Sequence, residues 1–293
     1  MLVPFLVLTA LFSYLPLFGW RYAFFDWRPG FPLKWENFVG FKWFVSIIES
    51  PARQAEIVRV MKNTLAMSFL GIVTSWLPMA FAIMLNEIRD VNYKRIVQTL
   101  TTVPNFISWV MVYAFAFMLF SVDAGLINRL LMDLGIIDTG INFLLSGDHI
   151  WLKMLAWGTW KGLGWGAIIY IAAITGIDQE LYEAATIDGA GRWGQIWNVT
   201  VPGLLPTYFV LLMLSIANLL NNGMEQYFVF RNAFNANTIE VLDLYVYYIG
   251  FKKDNTGGIP FATVISMLKS IISIILLFSV NGLSKLLRNE SIV

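Results

Sequence analysis

Asp178-Gln-Glu-Leu-Tyr-Glu183-Ala184-Ala185-Thr-Ile-Asp188-Gly189-Ala-Gly191-Arg192-Trp193-Gly-Gln-Ile196-Trp197-Asn-Val199-Thr-Val201-Pro202 is the stretch from which the fold can be worked out. It reads as two short helices around a glycine break. In the first, Leu181, Ala184 and Ala185 share one face at i, i+3 and i+4, and the alanines let a partner approach closely. In the second, Trp193, Ile196 and Trp197 make another such stripe. Gly189 or Gly191 supplies the positive φ between them, and Pro202 suits the first turn of the next apolar helix. Two readings fit this pattern: a helical projection that inserts into another protein, or an interfacial loop lying on a bilayer.

The surroundings of the stretch are apolar. Of 293 residues, 58% are hydrophobic and 13% charged, against roughly 45–50% and about 25% in soluble domains. One soluble core cannot hide that much apolar surface, so lipid must cover part of it. A helix needs about 20 apolar residues to cross a bilayer. Six stretches qualify: 2–25, 63–86, 96–120, 151–176, 203–222 and 261–284. They imply an all-α membrane protein with six transmembrane helices, and residues 1–293 are expected to form a single transmembrane domain with 177–202 as the loop between its fourth and fifth helices. The first stretch is longer than the apolar part of a cleavable signal and has no basic region before it. It is expected to be a retained helix, with a cytoplasmic tail ahead of it left open. Pro16, Pro78, Pro104 and Pro206 lie inside stretches, where kinks are expected rather than breaks.

Several chemistries are excluded. A net charge of +1 without a Lys/Arg block gives no basis for nucleic-acid binding. No cysteine is present and His149 is the only histidine, which speaks against a metal site, thiol catalysis or a Ser-His-Asp triad. No catalytic residue is therefore assigned. A membrane enzyme would need clustered acids, whereas Asp123, Asp133 and Asp148 are scattered. All 19 acidic residues fall outside the six stretches, so the coupling carboxylate expected of an ion-driven transporter is missing. A secondary transporter or a channel for a small polar solute is kept as the alternative.

Two lysines lie deep inside. Lys161 is about 15 Å along the fourth stretch at 1.5 Å per residue, and Lys269 lies within the sixth. Each either attracts an anionic substrate or bonds helix carbonyls. Trp157, Trp160 and Trp165 flank Lys161 among glycines, and indole faces can stack on sugar rings or simply pack. Asn218, Asn221 and Asn222 close the fifth stretch; their amides can read hydroxyls or tie helix to helix.

The stretch at 178–202 resembles the EAA loop of permease subunits in binding-protein-dependent ABC importers. That pattern is EAA, three residues, Gly, nine residues, Ile-x-Leu-Pro. Here Glu183-Ala184-Ala185, Gly189 and Val199-Thr-Val201-Pro202 keep the spacing, with valines in place of Ile and Leu. Trp160-Lys161, Tyr182 to Ala185, Ile187-Asp188-Gly189-Ala190, Tyr245-Val246-Tyr247 and Asn281 are similar to the oligo- and polysaccharide branch.

The resemblance implies a type I ABC importer permease (MetI-like) fold in a bacterial cytoplasmic membrane, with both termini cytoplasmic. The density of Arg89, Lys94, Arg95, Lys285 and Arg288 near span ends agrees with that orientation. It also implies that Glu183, Ala184, Ala185, Asp188 and Gly189 couple to an ATPase. The implied partners are a second permease subunit as a heterodimer, two ATPase subunits that hold ATP and Mg, and an extracytoplasmic solute-binding protein. This chain would bind no cofactor and would not itself be an enzyme. The cargo implied is an oligosaccharide or polysaccharide, and Lys161 suggests an acidic, alginate-like one.

Overall fold

The computed structural model describes residues 2–251 and 258–288; Met1 and residues 289–293, at the two ends expected to be cytoplasmic, lie outside the described residues. Among these the only extended pairing is a bridge of Phe25 with Phe38, and the rest is helix and turn. In chain order the helices are α1 (Val3–Phe24), α2 (Lys42–Glu49), α3 (Pro51–Asn86), α4 (Val91–Phe106), α5 (Trp109–Phe120), α6 (Leu126–Asp133) and α7 (Ile150–Thr175). They continue with α8 (Gln179–Ile187), α9 (Arg192–Ala217), α10 (Glu225–Phe230), α11 (Ala236–Ile239), α12 (Leu242–Phe251) and α13 (Gly258–Arg288). Four of them, α1, α3, α9 and α13, are individually long and apolar enough to cross a bilayer. The number is six if α4 with α5, and α7 with α8, each count as one bent span.

Hydropathy places the helix ends only roughly. The helix of the second stretch, α3, starts at Pro51, not 63, because Arg53, Glu56, Arg59 and Lys62 hide an amphipathic extension; Ser50 Oγ caps it by accepting the Arg53 N–H. The third stretch is broken and not merely kinked. After Thr102 the chain tightens into a 3₁₀ turn around Pro104, runs extended through Ile107 and Ser108, and restarts as α5 at 108° to α4. Ser108 caps the new helix.

The fifth stretch differs at both ends. Its helix begins at Arg192, so the second short helix expected in the loop is the first turn of α9. The two segments join through a π turn at Ile196–Thr200, in which the Val201 N–H reaches the Ile196 carbonyl. Pro202 therefore sits inside a continuous helix, just past a turn already loosened from α geometry. At the other end α9 stops at Ala217, before the asparagines.

Three buried clusters hold the bundle together, and α3 runs through all of them. Val60 packs with Trp43, Leu242, Tyr245, Phe261 and Val264. Met67 packs with Val112, Met154, Tyr227 and Phe230. Ala82 and Ile83 pack with Ala167, Tyr170, Ile196 and Leu204. By contrast α1 has no buried residue before Ala23. Contact between α7 and the end of α4 requires Gly164, where an added Cβ would lie 2.3 Å from the Thr101 carbonyl oxygen.

Candidate functional site

The 178–202 loop folds into α8 and the first turns of α9. Asp178 Oδ1 accepts the Glu180 N–H at 3.0 Å and starts α8. Gly189 ends it: at φ +79° it occupies the left-handed region, while Gly191 has φ −71°. The Gly189 N–H bonds the Thr186 carbonyl and the Ala190 N–H bonds the Ala185 carbonyl, at 3.0 and 2.9 Å. This paired closure is the Schellman arrangement, which explains why glycine occupies that place in the EAA spacing.

The loop is lashed to the bundle. Tyr182 and Thr200 share a hydroxyl contact at 3.0 Å, and Gln195 Nε2 donates to Thr186 Oγ1 at 2.9 Å. Arg192 Nε donates to Glu87 Oε2 at 3.0 Å, and its Nη2 to the Glu87 carbonyl at 2.7 Å. Outward, α8 presents Leu181, Glu183, Ala184, Asp188 and an Ile187 that is 85% exposed, while Ala185 is half-buried. The expected stripe of Trp193, Ile196 and Trp197 splits: Ile196 enters the core and both tryptophans stay exposed.

Lys161 points at the break between α4 and α5. Its Nζ donates to the Asn105 carbonyl at 2.6 Å and the Pro104 carbonyl at 3.3 Å, and lies 5.5 Å from the Trp109 ring centroid. A cation there meets the negative end of a helix whose last carbonyls have lost their partners. Trp165 packs edge-on against Phe106 beside the same break. Trp157 and Trp160, in contrast, line a cavity of about 400 Å³ with Phe115, Phe120, Phe230 and Lys153. Lys153 precedes the two tryptophans by four and seven residues, which keeps all three near one helix face.

The asparagines stand beyond the end of α9. Asn218 bonds back to the Leu214 carbonyl; Asn222 accepts Ser68 Oγ at 3.0 Å and donates to the Thr64 carbonyl at 3.3 Å. Asn221 Oδ1 accepts Lys269 Nζ at 3.2 Å, and Lys269 also pairs with Asp243. These contacts bring Asn221, Asn222 and Lys269 into one polar seam between α3, α9, α12 and α13. Sequence reasoning missed Asp243, whose meeting with Lys269 no local pattern announces. Gln226 and Tyr227, which close the same polar run as the asparagines, line a second cavity of about 310 Å³ with Thr74, Ser75, Gly158 and Gly162.

Residues 67–289 match the family described as binding-protein-dependent transport system inner membrane component. The chain belongs to this family. The permease is 36% identical to Protein LplB of Bacillus subtilis (strain 168) over its whole length and 89% of that protein. It is also 36% identical to the polygalacturonan/rhamnogalacturonan transport system permease protein YteP of the same organism, covering all of this chain and 88% of that one. Among solved structures it is similar to a chain of a bacterial ABC transporter involved in the import of the acidic polysaccharide alginate, with 28% identity, TM-score 0.84 and coverage of 98% and 94%. A second, with TM-score 0.85 and 28% identity over 99% and 94% of the two chains, is from the alginate transporter in complex with an alginate pentasaccharide-bound periplasmic protein. The permease is thus a multi-pass membrane component of an ABC importer with the MetI-like fold.

Proposed function

We propose that this permease carries acidic oligosaccharides or polysaccharides of the uronate type across a bacterial cytoplasmic membrane, by alternating access driven from a separate ATPase. The carrying observation is α8: an exposed helix with Glu183 and Ala184 outward, closed by Gly189, joined to α9 through Tyr182 and, beyond it, to α3 through Arg192. Such a helix delivers force from a docked partner without itself performing chemistry. In this reading Glu183, Ala184, Ala185, Asp188 and Gly189 are the coupling positions, and two ATPase subunits hold ATP and Mg. A second, non-identical permease and an extracytoplasmic solute-binding protein complete the assembly, residues 1–293 form its single transmembrane domain here, and both termini face the cytoplasm. This chain binds no cofactor and is not an enzyme.

The acidic substrate class is supported by similarity to two kinds of transporter, the polygalacturonan/rhamnogalacturonan system and the alginate importer. It is also supported by the Lys153 cation beside the aromatic wall of Trp157 and Trp160, where an indole face can hold a sugar ring. Lys161, Trp165, Asn218, Asn221, Asn222 and Lys269 are engaged with neighbouring backbone or side chains, and in this reading they shape the pathway without contacting cargo. The test is a mild-detergent pull-down from native membranes with mass spectrometry. Recovery of an ATPase and a second permease, weakened by Glu183→Ala, supports the assignment. A chain reproducibly free of any ATPase, under conditions that preserve a known importer, overturns it.

A further inference from the structure

We infer that Arg192 is the strap through which movement of α8 is delivered to α3, a positioning residue for coupling; this rests on the assignment of α8 as the docking helix. Glu87 is the C-terminal cap of α3, and the Arg192 guanidinium takes both its carboxylate and its backbone carbonyl, 105 residues away in the chain. Two donors of one rigid fork fix orientation as well as distance. A cation at a helix C-terminus also meets the favourable end of the dipole.

The connections on either side make the contact mechanical. Behind Arg192, the Gln195–Thr186 and Tyr182–Thr200 bonds join α8 and the first turns of α9 into one unit. Ahead of it, α3 extends 36 residues, about 54 Å at 1.5 Å per residue, through all three cores. Near its other end Arg59 pairs with Glu240 at 2.7 Å, and Asn63 Nδ2 donates to the Asn237 and Glu240 carbonyls, each at 3.0 Å. A displacement of α8 therefore reaches the segment around α11 along α3, across the turn at residues 74–76 that joins its Pro51–Val73 and Leu77–Asn86 parts. Both partners of the strap are partly exposed, where ion pairs add little stability. Its removal should alter transmission and spare the fold.

The chain has no cysteine, so Met84→Cys on α3 and Phe278→Cys on α13, both exposed, accept spin labels without background from this subunit. In the importer purified with its ATPase subunits, pulsed electron resonance measures their separation without nucleotide and after trapping with ATP and vanadate. The labelled parent is expected to show a shift between the two states. In Arg192→Gln, and separately in Glu87→Gln, the shift falls below half while the ATPase still co-purifies. The double variant equals Arg192→Gln, because that change already removes both bonds of the strap, whereas Glu87→Gln leaves the bond to the Glu87 backbone carbonyl. A full shift in Arg192→Gln, additive losses in the double variant, or a parent without any shift overturns the strap. Glu183→Ala separates the two levels: if it leaves the ATPase bound and the shift intact, the assignment of α8 fails. If it abolishes the shift that Arg192→Gln preserves, the strap alone fails.

Discussion

Asp243 and Lys269 form an ion pair between α12 and α13, with each side chain less than one-fifth exposed. The Asp243 carboxylate also accepts the Gly223 N–H at 3.0 Å, and Asn221 completes the shell around the lysine. An acid that the chain carries outside every apolar stretch is thus folded back against one of them. Its charge is tolerated there because it is paired and hydrogen-bonded.

Breaking that pair from one side leaves a charge with no counterpart. Lys269→Met or Asp243→Asn should each lower stability by about 2 kcal/mol, below the range for fully buried pairs because some solvent reaches both groups. Thermal unfolding of the purified protein in detergent checks this. The double variant should recover at least half of the loss, since it leaves neither charge stranded.

Two glycines predict opposite phenotypes. Gly164→Ala places a methyl group 2.3 Å from the Thr101 carbonyl oxygen, an overpacking that should cost about 3 kcal/mol and reduce the yield of monodisperse protein. Gly189→Ala meets no neighbour within 4 Å, but its left-handed φ should cost about 1–2 kcal/mol. That variant should purify normally and retain less ATPase, measured by co-purification.

Lys161→Met should lower uptake of acidic and neutral oligosaccharides by the same factor, because Lys161 holds the carbonyls of Pro104 and Asn105. Competition uptake into proteoliposomes gives the two factors side by side. A loss confined to acidic sugars would instead place the ammonium group in the pathway.

Trp160→Ala removes one wall of the aromatic cavity, where Trp160 stacks with Phe115 at 6.0 Å between ring centroids. The half-saturating substrate concentration should rise about five- to tenfold, the equivalent of roughly 1 kcal/mol of stacking. The amount of assembled importer, read by gel filtration, should not change.

Local chemistry accounts for the features legible in the sequence. The apolar stretches, the helix at 179–187 and the turn at Gly189 all arise from residues within a few positions of one another. Helix ends required tertiary information: residues 51–62 are rich in charge, which hydropathy reads as loop, and Arg59 there meets Glu240 and the Asn237 carbonyl. Pro104 was legible as a perturbation, but its severity was not. A break inside apolar surroundings is tolerated only where the freed carbonyls find a donor, and that donor, Lys161, lies 56 residues on. The polar seam around Lys269 and the Arg192–Glu87 contact are likewise long-range pairings with no local spacing to mark them.

The π turn at Ile196–Thr200 sets a phase relation between the loop and the bundle. One extra residue in a helix rotates everything upstream by about 100° relative to everything downstream. Ile196 faces the core while the adjacent Trp197 faces out, and this is the place where the surplus residue is absorbed. Deleting a single residue there would let the turn relax to α geometry and swing α8 around the axis of α9, carrying Glu183 with it. The direction in which α8 faces is therefore encoded in chain length at this turn as well as in side chains.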